Sequence, residues 1–161
     1  MPEPGEWTVE AARGALPEVR SRLAVARRHL DAMRAAEEQL NDLRIVHGEQ
    51  VLAAASPGHR EFRGWWEQYH AARGALEQAL LGLSQLGVEV KDVAQGLVDF
   101  RGKVGDHQAY LCWRSGEDTV EFWHPLDEGF AGRRRCPRSG SRGCLPRCRG
   151  SGGTAHGRWG R

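Results

Sequence analysis

A chain of 161 residues, 40% hydrophobic and 27% charged, has the size and balance of one globular domain, or one domain with a tail. Its apolar runs fall far short of the ~20 residues of a membrane span, so no membrane partner is expected. The opening MPEPGEWTVE is acidic and lacks an apolar stretch, which argues against a secretory signal and makes the cytoplasm the expected address.

Thr8 is a candidate N-cap, with Glu10 in the first turn where negative charge suits the helix dipole. Pro17 removes a backbone donor, so either a short helix ends near Leu16 or a kink sits there. Leu16, Val19, Leu23, Ala26, Leu30, Met33 and Leu40 then step by threes and fours, a heptad-like stripe with Glu37 as its polar interruption. Gly48 and the turn signal Ser56-Pro57-Gly58 separate this from a second helix starting near Arg60. There Phe62, Tyr69, Leu76 and Leu83 recur every seventh residue, with Trp66, Ala72, Ala79 and Leu86 between them, and Gly87 is a natural stop. Two helices with matching stripes predict an antiparallel hairpin over residues 8–86.

After Gly87 the period changes. Val88 to Val90, Gly96 to Phe100, Ala109 to Arg114 and Val120 to His124 read as short strands, and Ser115 to Asp118 as a hairpin turn. The expected fold is α+β: a helical hairpin, then a small antiparallel sheet of three or four strands over residues 87–133, in one domain spanning 1–133.

Residues 134–161 read as a disordered, basic tail rich in arginine and glycine. The charge is divided accordingly. Nine arginines and no acid fall within 133–161; removing those nine from 23 basic residues leaves 14 against 21 acids, so the body carries −7 and the tail +9 beneath a net charge of +2. An acidic body is a poor surface for nucleic acid, whereas a basic tail is a good one, so nucleic acid is a partner only through the tail.

Several linked motifs resemble a known family. Trp7-Thr8-Val9-Glu10-Ala11-Ala12 with Leu16-Pro17 is similar to its opening pattern. Gly87-Val88-Glu89-Val90-Lys91-Asp92, Gly96-Leu97-Val98-Asp99-Phe100, Tyr110-Leu111-Cys112-Trp113-Arg114 and Gly116-Glu117 follow in the same order. Phe122-Trp123-His124, Asp127 and Gly129-Phe130-Ala131-Gly132-Arg133 complete the match. Over about residues 7–133 the chain thus resembles the prokaryotic family catalogued as domain of unknown function 2203. The resemblance brings no activity, cofactor or catalytic residue set with it. Members end soon after the G-F-x-G-R motif, and this chain departs by continuing into the tail, as a lineage-specific extension or the product of a shifted reading frame.

The candidate chemistry lies in the strand-rich half. Glu89, Asp92, Asp99, Glu117, Glu121, His124 and Asp127 offer carboxylates and one imidazole, suited to a divalent metal or a cationic ligand. No HxH or HExxH pair marks a metal site, and the plainer reading is of turn residues and a solvated sheet face. Asp99 lies mid-strand, where a carboxylate needs a partner or water, and His124 lies at a strand end, so the two either share one ligand site or merely tie the last strand to the sheet. Trp113 and Trp123 on neighbouring strands form either an aromatic platform or part of the core. Cys112 is a nucleophile if His124 or His107 is in reach, and otherwise an inert buried thiol. In the tail, Cys136, Cys144, Cys148 and His156 supply zinc-ligand types without a CxxC knuckle, a pattern that chance explains.

The preferred reading is a small non-enzymatic binding or scaffold protein with an unknown protein or small-ligand partner and no identified cofactor. Its hairpin offers a surface for self-association. The runner-up is a metal-dependent or acid/base enzyme built on the carboxylate–histidine group.

Overall fold

The computed structural model describes residues 7–105 and 107–136. Thr8 caps the first helix, α1 (Val9–His47): its hydroxyl accepts the Ala11 backbone N–H at 3.1 Å. The helix runs unbroken through Pro17, so the expected stop near Leu16 does not occur. A proline inside a helix costs about 3 kcal/mol. Burial of Ala12, Leu16, Val19 and Leu23 on both sides of it offsets that cost. Residues 48–58 turn the chain, with Gly58 at φ 82° next to the His47 ring. The second helix, α2 (His59–Gln85), returns along α1 and buries Phe62, Leu76 and Leu83.

The two stripes are real but turn as they run. Leu16, Val19 and Leu23 share one cluster with the sheet, whereas Leu40 belongs to a separate cluster with Val51 and Phe62 at the far end of the hairpin. There Ala36 is buried and Glu37 is exposed, so Glu37 is no interruption of the seam. Trp66 is likewise exposed, and its neighbour Trp65 packs against the far cluster instead. Accordingly, Leu76→Ala should cost about 2–5 kcal/mol in urea denaturation, and half-buried Leu30→Ala less. Glu37→Leu should stay within about 0.5 kcal/mol; a larger loss would show that the exposed carboxylate makes a specific contact.

Five antiparallel strands follow in chain order: β1 (Val88–Asp92), β2 (Leu97–Val104), β3 (His107–Arg114), β4 (Phe122–Pro125) and β5 (Arg134–Arg135). The last lies in the stretch that composition assigned to the tail. A two-residue edge strand of arginines carries no apolar signal, and pairing with Phe122 and Trp123 defines it. Cys136 continues from it, donating its backbone N–H to the Glu121 carbonyl at 2.7 Å and packing against the core.

β1 covers only the first half of β2, pairing from Leu97 to Phe100. Trp7 covers the rest. Its backbone bridges Gly102, accepting from Lys103 N at 3.1 Å, while its indole N–H donates to the Gly87 carbonyl at 3.1 Å. A β-carbon at Gly102 would run into the Trp7 carbonyl, so glycine is required where the two backbones meet.

Candidate functional site

Strand alternation sorts the sheet into two faces. Val88, Phe100, Leu111 and Trp123 stand in one cross-strand row, with Val98 and Trp113 beside it. These side chains form the core with α1, α2 and Trp7. Trp113 and Trp123 therefore share a face as expected, but it is the inner one, and they make no platform.

The opposite face carries Glu89, Asp99, Cys112 and Phe122 in one row, with Tyr110 and His124 paired in the next. Such a face should be solvated. Asp99, Cys112 and His124 are nevertheless only 3%, 1% and 4% exposed. The segment after β4 covers them: Leu126, Glu128, Gly129 and Phe130 form one wall of a cleft of about 300 Å³ with these three side chains. The expected meeting of Asp99 and His124 is thus found, with His124 Nε2 at 3.4 Å from Asp99 Oδ2.

The orientation of His124 decides what the centre can do. Its Nδ1 lies 2.9 Å from the Pro125 carbonyl oxygen, which can only accept, so Nδ1 carries a hydrogen. In a neutral imidazole Nε2 is then an acceptor, and a bond from it to the Asp99 carboxylate, which also only accepts, forms when Nε2 gains a proton. Asp99 Oδ1 is buried and has no hydrogen-bond partner among the described residues. Lys91 stands at the edge, 4.0 Å from Asp99 Oδ2, and is already paired with Glu89 at 2.7 Å. Tyr110 donates to the other Glu89 oxygen at 3.1 Å. Burial opposes the charge on Glu89, but these hydrogen bonds outweigh it and hold its carboxyl below the ordinary value. The bond to Glu89 raises Lys91, and burial raises Tyr110.

Burial, and then the neighbouring Asp99 carboxylate, push the Cys112 thiol up to about 12. A thiol so placed stays protonated near neutrality and is no free nucleophile. His107, the other proposed base, falls on the opposite face by strand alternation. Burial likewise pushes Cys136 up to about 11.

The remaining candidates have structural roles or lie elsewhere. Asp92 caps the β1–β2 turn, accepting from Gln95 N at 2.8 Å. Glu117 accepts from Arg114 N and takes both oxygens to Arg133 at 2.7 and 2.8 Å. Glu121 is half-buried and Asp127 exposed, and neither belongs to the buried cluster. The tail ligand types Cys144, Cys148 and His156, and most of the arginines proposed for nucleic acid, lie outside the described residues.

Sequence reasoning missed Lys91, Tyr110, Glu128 and Phe130 as lining residues, and Arg133 as the cover's anchor. Arg133 stacks over Phe122 at 4.2 Å and Phe130 at 4.6 Å, while its guanidinium holds Glu117. Gly132 is required beside it, because a β-carbon there would strike the Glu128 carboxylate. The G-F-x-G-R motif thus forms and fastens the cover.

No curated protein and no solved structure matches the chain. The family model described as "Uncharacterized conserved protein (DUF2203)" matches residues 6–136, through strand β5 and the whole of the cover. The chain belongs to that family.

Proposed function

We propose that this protein is a non-catalytic binding module whose cleft, between the outer sheet face and residues 126–130, takes a small cationic ligand. The carrying observation is the buried Oδ1 of Asp99, which has no hydrogen-bond partner among the described residues. An unpaired buried acceptor is costly, and a ligand that brings positive charge or donors repays that cost. In the neutral form of His124, Nε2, turned inward by the Nδ1–H bond to the Pro125 carbonyl, offers a second acceptor at the same point.

Methylguanidinium is a suitable probe, since its planar donors match a carboxylate. Titrated into the protein, it should shift the amide resonances of Asp99, Cys112, His124 and Phe130, and Asp99→Asn should abolish the shifts while the rest of the spectrum is kept. Saturable shifts confined to other surfaces, or unchanged by Asp99→Asn, would overturn the reading.

A further inference from the structure

We propose that Asp99, Cys112 and His124 are three ligands of a site for a borderline divalent cation of the zinc class, with its open position toward the cleft. The inference rests on the cleft being a cation site and names the cation. One ligand atom from each residue, a carboxylate oxygen, a sulfur and an imidazole nitrogen, can be chosen so that all lie within 4.8 Å of one another. Bonds to zinc of about 2.0–2.3 Å place tetrahedral ligand atoms roughly 3.3–3.8 Å apart. The His124 Nε2 to Asp99 Oδ2 separation of 3.4 Å is already in that range. A rotamer adjustment of Cys112 closes the remainder, its thiol proton passing to solvent as the thiolate binds.

Three further observations point the same way. Asp99 and Cys112 are direct cross-strand partners, and His124 is two residues along β4 from Phe122, the partner of Cys112. Rigid strands therefore hold all three donors. The Nδ1–H of His124 is spent on a carbonyl, the outer hydrogen bond that aims the other nitrogen of a metal-binding histidine. The mixture of sulfur, nitrogen and oxygen selects a borderline ion over calcium or magnesium, which prefer oxygen alone. Lys91 opposes a dication at Asp99, but its exposed ammonium is paired with Glu89 and can swing aside. Tyr110 and Phe130 flank the open position, leaving room for water or a small exogenous ligand.

Cobalt(II) tests this, because a thiolate ligand gives a near-ultraviolet charge-transfer band and tetrahedral geometry gives intense visible bands. The full chain is used with Cys136→Ala, Cys144→Ser and Cys148→Ser, which leave Cys112 as the one thiol. Both features should appear, saturate, and vanish on adding zinc. Cys112→Ser should remove the charge-transfer band, and Asp99→Asn or His124→Ala should weaken affinity on the order of tenfold or more. Circular dichroism checks folding, and Cys112→Ala serves if the serine variant does not fold. Absence of the bands, or a charge-transfer band that survives the loss of Cys112, overturns the metal site. Methylguanidinium shifts that persist in that event leave the cleft's binding role standing, and their absence as well removes both.

Discussion

Trp7→Ala is expected to be among the most damaging single changes in the described residues, costing about 3–5 kcal/mol in urea denaturation. Trp7 is 1% exposed, meets Phe100 edge-on with ring centroids 5.1 Å apart, and bonds the turn that joins α2 to β1. Truncation empties the corner where helix, turn and sheet edge meet. Trp7→Phe keeps most of the packing and loses the indole bond, so it should cost less, about 1–2 kcal/mol. Gly102→Ala attacks the same junction from the strand side, forcing backbone apart where Trp7 bridges β2. It should also destabilise strongly. Losses below about 1 kcal/mol for both Trp7→Ala and Gly102→Ala would mean that Trp7 merely rests on the sheet.

Arg133→Ala should cost about 3 kcal/mol, because it strands a mostly buried carboxylate and opens the stack between Phe122 and Phe130. Arg133→Lys should recover little. Both Glu117 bonds come from the single nitrogen Nη2, which an ammonium can imitate, but an ammonium cannot lie flat against Phe122 and Phe130 as the guanidinium does. Because Arg133 fastens the cover over Asp99, the same variants should bind methylguanidinium and cobalt more weakly. Full stability in Arg133→Lys would show that charge alone holds the segment.

Much of this architecture is written locally in the chain. The threes and fours from Leu16 to Ala26, the strand runs at Val88–Val90, Gly96–Phe100 and Ala109–Arg114, and the turn at Ser115–Asp118 are read directly as helix, strand and hairpin, whereas Gly102 hides the second half of β2. Glu37 was misplaced because a heptad extrapolated along α1 assumes one partner throughout. The core residues that α1 shares with the sheet end at Leu23, and by Leu40 its cluster is with α2 and the connecting turn, so the buried direction swings to Ala36. Pro17 reads from the sequence as a stop or a kink because propensity is local, whereas the burial that carries the helix through it is not. Asp99 and His124 were legible as a pair from a mid-strand acid and a strand-end imidazole. That Cys112 joins them required the β2–β3 register, and that all three are buried required the cover, whose anchoring by Arg133 no periodicity reveals.

The most direct measurement is the stability of the ligand-free double variant Asp99→Leu, His124→Leu. If the buried polar centre exists to bind, apolar side chains of similar size should hold the sheet and its cover equally well or better, since replacing a buried ionisable pair is often neutral or stabilising. Stability within about 1 kcal/mol of the parent or above it, with cation binding gone, is the predicted result. A loss of about 3 kcal/mol or more would contradict the account and make Asp99 and His124 a structural tie between β2 and β4.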